Sequence, residues 1–175
     1  SSDVCSSDLR LEEKRKRLEE LEDYDAFRER TEKELKASSD RLAGLCADLS
    51  EIRKSASVKL VERIRQGLLD LNFLDVEFDM EFDRLDHFTA GGWDEAQFLI
   101  STNPGQPMRP LKDVASGGEL SRIMLAIKTV LADSDEIPTL IFDEIDTGIS
   151  GRTAQKVSEK LSYIGGSHQV ICITH

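Results

Sequence analysis

The sequence predicts an α/β domain, parallel strands with flanking helices, preceded by one long helix. Three observations carry this. Residues 9–71 contain no proline and only two glycines, with charge throughout. Further on, two short apolar runs, Thr139–Phe142 and Gln169–Thr174, flank one amphipathic segment, the pattern of a strand, helix, strand unit. A period of two between these regions, from Phe73 to Asp83, adds a half-buried strand.

Length and composition limit what the chain can be. At 175 residues and 39% hydrophobic content it has material for one modest domain plus something elongated. No run of about 18 apolar residues is present, and Ser1–Leu9 lacks the basic and apolar regions of a secretory signal, so a soluble, cytoplasmic protein without membrane contact is expected. Cys5, Cys46 and Cys172 are odd in number and far apart, which argues against zinc and against a disulfide framework. Residues 1–8 are small and polar, unlike the charge-rich segment after them, and are expected to be disordered or foreign to the fold. The net charge of -11 argues against direct duplex binding, yet residues 67–100 hold 9 acidic and 1 basic side chain while residues 10–66 are close to neutral. The cluster Lys14-Arg15-Lys16-Arg17 reads first as a solvated helix face and second as a local nucleic-acid contact.

The long helix, 9–71, carries a heptad seam. Leu21, Arg28, Leu35, Leu42, Leu49 and Ala56, with Tyr24, Thr31, Ser38, Leu45, Ile52 and Lys59, form its two rows, apolar at 8 of 12 positions. Leu11 and Leu18 keep a different frame, as a stutter would. A coiled-coil arm is expected, and one such seam cannot bury itself. Residues 72–175 form the remaining domain. Val76, Phe78, Met80 and Phe82 alternate with Glu77, Asp79, Glu81 and Asp83, then a turn at Gly91-Gly92 leads to a second strand, Gln97–Ser101, and a loop rich in proline.

Ser116-Gly117-Gly118-Glu119 comes next. The S-x-x-E pattern ahead of Leu120, Ile123, Ile127 and Val130 is a capping box. Capping alone leaves unexplained two glycines in the first helical turn, each costing about 1 kcal/mol against alanine. Something needs the bare backbone there, and unhindered amides at a helix start are suited to phosphate. The run Thr139–Phe142, read as a strand covered on both faces, delivers Asp143 and Glu144 at its carboxyl end, where ligands of open α/β sheets bind. Asp143 suits Mg²⁺, and Glu144 suits the orientation and deprotonation of water, although Asp-Glu after a strand also begins many turns. After a loop, Ile145–Gly151, comes a helix with Ala154, Val157, Leu161 and Ile164 on one face, ended by Gly165-Gly166. A parallel crossover then places His175 on the edge that holds Asp143 and Glu144, while His87 and His168 are expected at the surface.

Ala115–Arg122 resembles the signature motif of ABC-type ATPase heads, Leu140–Glu144 their Walker B motif, Asp146–Ser150 their D-loop and His175 their switch histidine. The wording ASGGELSRIMLAIK followed by IFDEIDTGISG is similar to the SMC-like members of that group that act in bacterial DNA double-strand break repair and recombination. The resemblance implies the carboxyl-terminal half of such a head behind a descending coiled-coil arm. It implies ATP and Mg²⁺ as cofactors, with Ser116, Gly117, Gly118, Glu119, Asp146 and Ser150 at the nucleotide, Asp143 at the metal, Glu144 as base and His175 as γ-phosphate sensor. The implied partners are the amino-terminal half of the same head, which carries Walker A, a second copy across sandwiched ATP, and DNA. The implied place is the cytoplasm, in association with the nucleoid. No G-x-x-x-x-G-K-[ST] loop occurs between Ser1 and His175, so activity is expected only with that other half. Glu119 stands where many transporters have glutamine, and Ser150 where an aspartate is common. Two other readings stay open: a structural arm and half head for dimerisation or DNA bridging, and an SMC-like head of Rad50 or condensin type, against which the absent C-x-x-C hook and short arm speak.

Overall fold

The computed structural model describes residues 2–114 and 116–174, with side chains from Arg10 onward. The chain divides into two units, Ser1–Leu49 and Ser50–His175. Helix α1, Ser2–Asp70, belongs to both and begins inside the 1–8 segment expected to stand apart. Within the first unit its apolar seam lies open to solvent: Leu21, Tyr24, Leu35, Leu42 and Leu45 are all exposed. Exposed pairs such as Glu29 with Lys33, at 3.1 Å, decorate the surface and add at most a few tenths of a kcal/mol each.

In the second unit, the final turns of α1 enter the core. Ile64 and Leu68 are fully buried, and Gly67 brings the helix so close to its neighbour that an added Cβ would lie 3.4 Å from that of Ala126. The chain reverses after Asp70, with Phe73 N donating to Leu68 O and Asn72 in the left-handed region at φ 70°. Strands β1, Glu77–Thr89, and β2, Gly92–Ser101, then pair antiparallel, with short β3, Arg109–Pro110, beside β2. Phe78 faces Ile100 and Met80 faces Phe98, so the apolar alternation is used as expected, while Glu77, Asp79, Glu81 and Asp83 are exposed. Both strands reach further toward their turn than periodicity indicates. Thr89 closes that turn, its Oγ1 accepting from Gly91 N and donating to Gly92 O. The third strand lies in the expected proline loop, where Pro110 at a sheet edge gives up no ladder donor.

The remaining elements are α2, Gly117–Leu131, β4, Thr139–Asp143, α3, Gly151–Ile164, and β5, Gln169–Ile173. Strands β4 and β5 are parallel in the register Asp143 to Ile173, as a strand, helix, strand unit requires. Ile123, Ile127, Leu140, Phe142, Val157 and Ile164 share one core with Phe78, Ile100 and the end of α1. Burying a side chain of this size contributes about 1.5–3 kcal/mol, so this cluster dominates the stability of the unit.

Three expectations are corrected. Strand β4 is covered on one face only: Leu140 and Phe142 are buried, while Ile141 is 64% exposed, with Ile171 and Ile173 exposed on β5. The two-stranded sheet has α2 packed against one side and nothing, among the described residues, against the other. The buried face of α3 begins at Thr153, with Ala154 exposed, because Thr153, four residues before Val157, completes one side of the helix with Val157, Leu161 and Ile164, which lie there as expected. His168 is buried at 8% exposure, its ring held by Ser167 Oγ at Nδ1 and by Asp135 O at Nε2. Since a carbonyl only accepts, Nε2 carries the proton. His87 is exposed as expected.

Candidate functional site

The start of α2 and the end of β4 meet. Ser116 caps α2 in an extended conformation, its hydroxyl accepting from Glu119 N at a long 3.4 Å and its carbonyl accepting from Leu120 N at 2.9 Å. The glycines have a close neighbour. A Cβ on Gly117 would stand 2.9 Å from Glu144 Oε2, and one on Gly118 would stand 2.9 Å from Glu144 O and 3.3 Å from Thr147 Cβ. Thus the loop after β4 is pressed against the bare backbone of the first turn of α2: a methyl at Gly118 would push the loop's main chain away, and one at Gly117 would displace the Glu144 carboxylate.

Glu144 itself sits in the left-handed region at φ 53°, a conformation unfavourable for a residue with a Cβ. Neighbours on both sides fix it: its N donates to Ile173 O at 3.1 Å, and its O accepts from Thr147 N at 3.1 Å. The first bond ties the loop to the end of β5, so Asp143, Glu144 and Thr174 share one sheet edge. Ser121 adds another tie by donating to Asp143 O. The Asp143 carboxylate is exposed and enters no ion pair among the described residues.

The expected site residues are therefore gathered unequally. Gly117, Gly118 and Glu144 are brought together directly, Asp143 is tied to the same helix through Ser121, and Ser116 and Glu119 lie at that helix end. Asp146 is exposed in the following loop and faces β5 closely enough to raise the Cys172 thiol pKa, an effect led by partial burial of that thiol. Ser150 caps α3 through its carbonyl, which accepts from Ala154 N, while its hydroxyl caps nothing among the described residues. His175, expected at this edge, lies outside the described residues, as does Ala115. Periodicity and motif reading gave no role to Ser121, Arg122 or Thr147, which knit the site together. The one available signal was that Ser121 and Arg122 fall inside the signature-like stretch and Thr147 inside the D-loop-like stretch.

The donor set fits a magnesium nucleotide in kind. Asp143 and Glu144 offer hard oxygen ligands, and the amides at the start of α2 offer donors to phosphate. Among the described residues no three metal-ligating side chains cluster, so a metal here would depend on ligands from the nucleotide, water or another segment.

No protein-family model matches the chain. The chain is 37% identical to the DNA repair protein RecN of Bacillus subtilis over 188 residues, which covers 99% of this chain and 32% of that protein. It is 44% identical to RecN of Halalkalibacterium halodurans over 133 residues, covering 74% of this chain and 24% of that protein. A solved Smc head domain with an extended coiled coil from Pyrococcus furiosus is similar at TM-score 0.47 and 14% identity, over 71% of this chain and 29% of that one. The chain spans about a quarter to a third of the length of its curated relatives and matches their carboxyl-terminal part. On that sequence identity, carried over nearly the whole of its length, the chain belongs to the RecN family.

Proposed function

We propose that this chain supplies the signature helix, the Walker B carboxylates and the D-loop of an ATP-hydrolysing head that acts in DNA double-strand break repair. The observation that carries the reading is the meeting of the glycine pair at the start of α2 with Glu144 at the end of β4, where Ser121 of the same helix also holds the Asp143 carbonyl. Ser116, Gly117 and Gly118, with Glu119 beside them, receive the γ phosphate of a nucleotide held by the Walker A segment of a second copy. Asp146 and Ser150 line the same dimer contact. Asp143 holds Mg²⁺, which when bound neutralises charge on the transferring phosphoryl group. Glu144 orients the attacking water and takes its proton, and His175 contacts the γ phosphate. The exposed seam of α1 supports a coiled-coil arm that pairs with an ascending helix of the same protein. Head engagement then gates the handling of DNA in the cytoplasm, with the nucleoid as its place of work.

The deciding experiment measures ATP hydrolysis by this chain alone, and mixed with an amino-terminal segment bearing Walker A. Activity is expected only in the mixture. Glu144→Gln is expected to keep ATP-driven dimerisation and to lower turnover by about 10²–10⁴-fold, the scale of removing a general base. Turnover unchanged by that substitution removes Glu144 from the reaction. No turnover from two folded, associated pieces would instead favour a structural arm and half head for dimerisation or DNA bridging.

A further inference from the structure

Arg122 touches three segments at once. Its Nη1 donates to Thr147 O at 2.9 Å, in the loop that follows Glu144. Its guanidinium carbon lies 5.7 Å from the centroid of Phe73, the residue on which the chain turns after α1. Its own backbone belongs to the second turn of α2, and an added Cβ at Gly118 would come within 3.5 Å of its Nη1.

The side chain is also confined. Its Nε is buried and has no hydrogen-bond partner among the described residues. Burial pulls the pKa of the group down and Glu119 partly opposes this, although a guanidinium keeps its charge across any working pH. An unmatched buried donor costs stability, so the contacts with the Phe73 ring and the Thr147 carbonyl must offset that cost to hold the side chain in place. Phe73 is itself buried at 8% exposure, and its N is bonded to Leu68 O in the last full turn of α1. Any shift of the end of α1 relative to α2 must therefore disturb the cation that also holds the 145–150 loop.

We propose that Arg122 is a positioning residue that couples the end of α1, the signature helix and the D-loop, so that Gly117-Gly118 and Asp143-Glu144 keep one spacing during turnover. It rests on the ATPase reading for its consequence, and on the described geometry for the coupling itself. A strut that merely stabilises the fold would loosen the whole unit when removed. A coupler loosens the loop and the helix start selectively and slows the chemical step without weakening nucleotide binding.

The test uses the full-length protein with Arg122→Met, which keeps the length and removes the donors, and Arg122→Lys, which keeps the charge but cannot both stack and fork. Hydrogen exchange at the amides of Thr147 and Gly148 is compared with that of β4, alongside ATP affinity and kcat. Arg122→Met is expected to speed exchange at the loop by about tenfold or more relative to β4, the scale of losing one hydrogen bond from a charged donor. It is expected to lower kcat by a similar factor with ATP affinity unchanged, and Arg122→Lys is expected to fall between. Exchange at Thr147 and Gly148 equal to wild type overturns the proposal, and so does a uniform rise across the unit. Should Arg122→Met fail to fold, the Arg122→Lys protein decides by the same exchange comparison. A wild-type protein without ATP hydrolysis would sink the ATPase reading, while the exchange result would still judge the coupling.

Discussion

Gly117 and Gly118 show how two adjacent residues of one type answer different demands. The atom nearest an added Cβ at Gly117 is Glu144 Oε2, the end of a flexible side chain that can swing aside. At Gly118 it is Glu144 O, main chain fixed by Thr147 N and by the left-handed turn at Glu144. Gly118→Ala is therefore expected to destabilise the unit by about 1–3 kcal/mol, the cost of forcing backbone apart in a packed site, and Gly117→Ala by less than about 1 kcal/mol. Urea denaturation monitored by circular dichroism checks the difference, and equal costs would show that the contact at Gly118 is not rigid. The sequence made the bare backbone legible, since capping did not explain two glycines. That a carboxylate residue of the same chain presses on them was not legible, because it depends on the φ of Glu144 and on a bond from β5.

At the scale of elements, the join between α2 and β4 is held by charge as well as packing. Lys128, near the end of α2, pairs with Asp135 in the connection, and both side chains are largely buried. The Asp135 carboxyl is held below its usual range, first by the hydrogen bond from Lys128, then by Ile137 N, with His168 adding a smaller electrostatic effect. A carboxyl with a lowered folded pKa contributes stability that is present above its unfolded pKa and is lost as pH falls through the folded one. Lys128→Met is thus expected to lower stability at neutral pH and to flatten the loss of stability on acidification below the ordinary carboxylate range. Denaturation midpoints measured from neutral to acidic pH check this, and parallel curves for the two proteins would remove the pair from the acid response. The existence of α2, β4, α3 and β5 was readable, since each follows its own period, whereas β3 lies in a stretch read as a proline loop. Their edges were less so: β1 and β2 continue to the Thr89 turn because the two strands pair there, and the buried face of α3 starts at Thr153, one turn before Val157, in place of Ala154.

At the scale of the whole molecule, the open face of the β4–β5 pair sets the limit of what this chain does alone. Ile141, Ile171 and Ile173 present apolar surface on one side of parallel strands, whose sheets are ordinarily covered on both faces. The amino-terminal half of the head is the occupant our functional reading requires. Ile141→Lys with Ile171→Lys is expected to leave the fold of the chain intact, since both positions are exposed, and to weaken its association with that half by tenfold or more, about 1.4 kcal/mol. Analytical ultracentrifugation of the mixture checks it, with undiminished association placing the contact elsewhere.

The sequence by itself determined the long charged helix, the period-two strand, the parallel unit and the two motifs that would touch a nucleotide, because each is written in local periodicity or in residue types a few positions apart. The tertiary structure decided which side of β4 is buried, that His168 is interior, that Glu144 turns left-handed against Gly117 and Gly118, and that Arg122 spans Phe73 and Thr147. Those facts depend on contacts between residues far apart in the chain. No local pattern specifies such contacts, since they arise from how the elements fill space around one shared core.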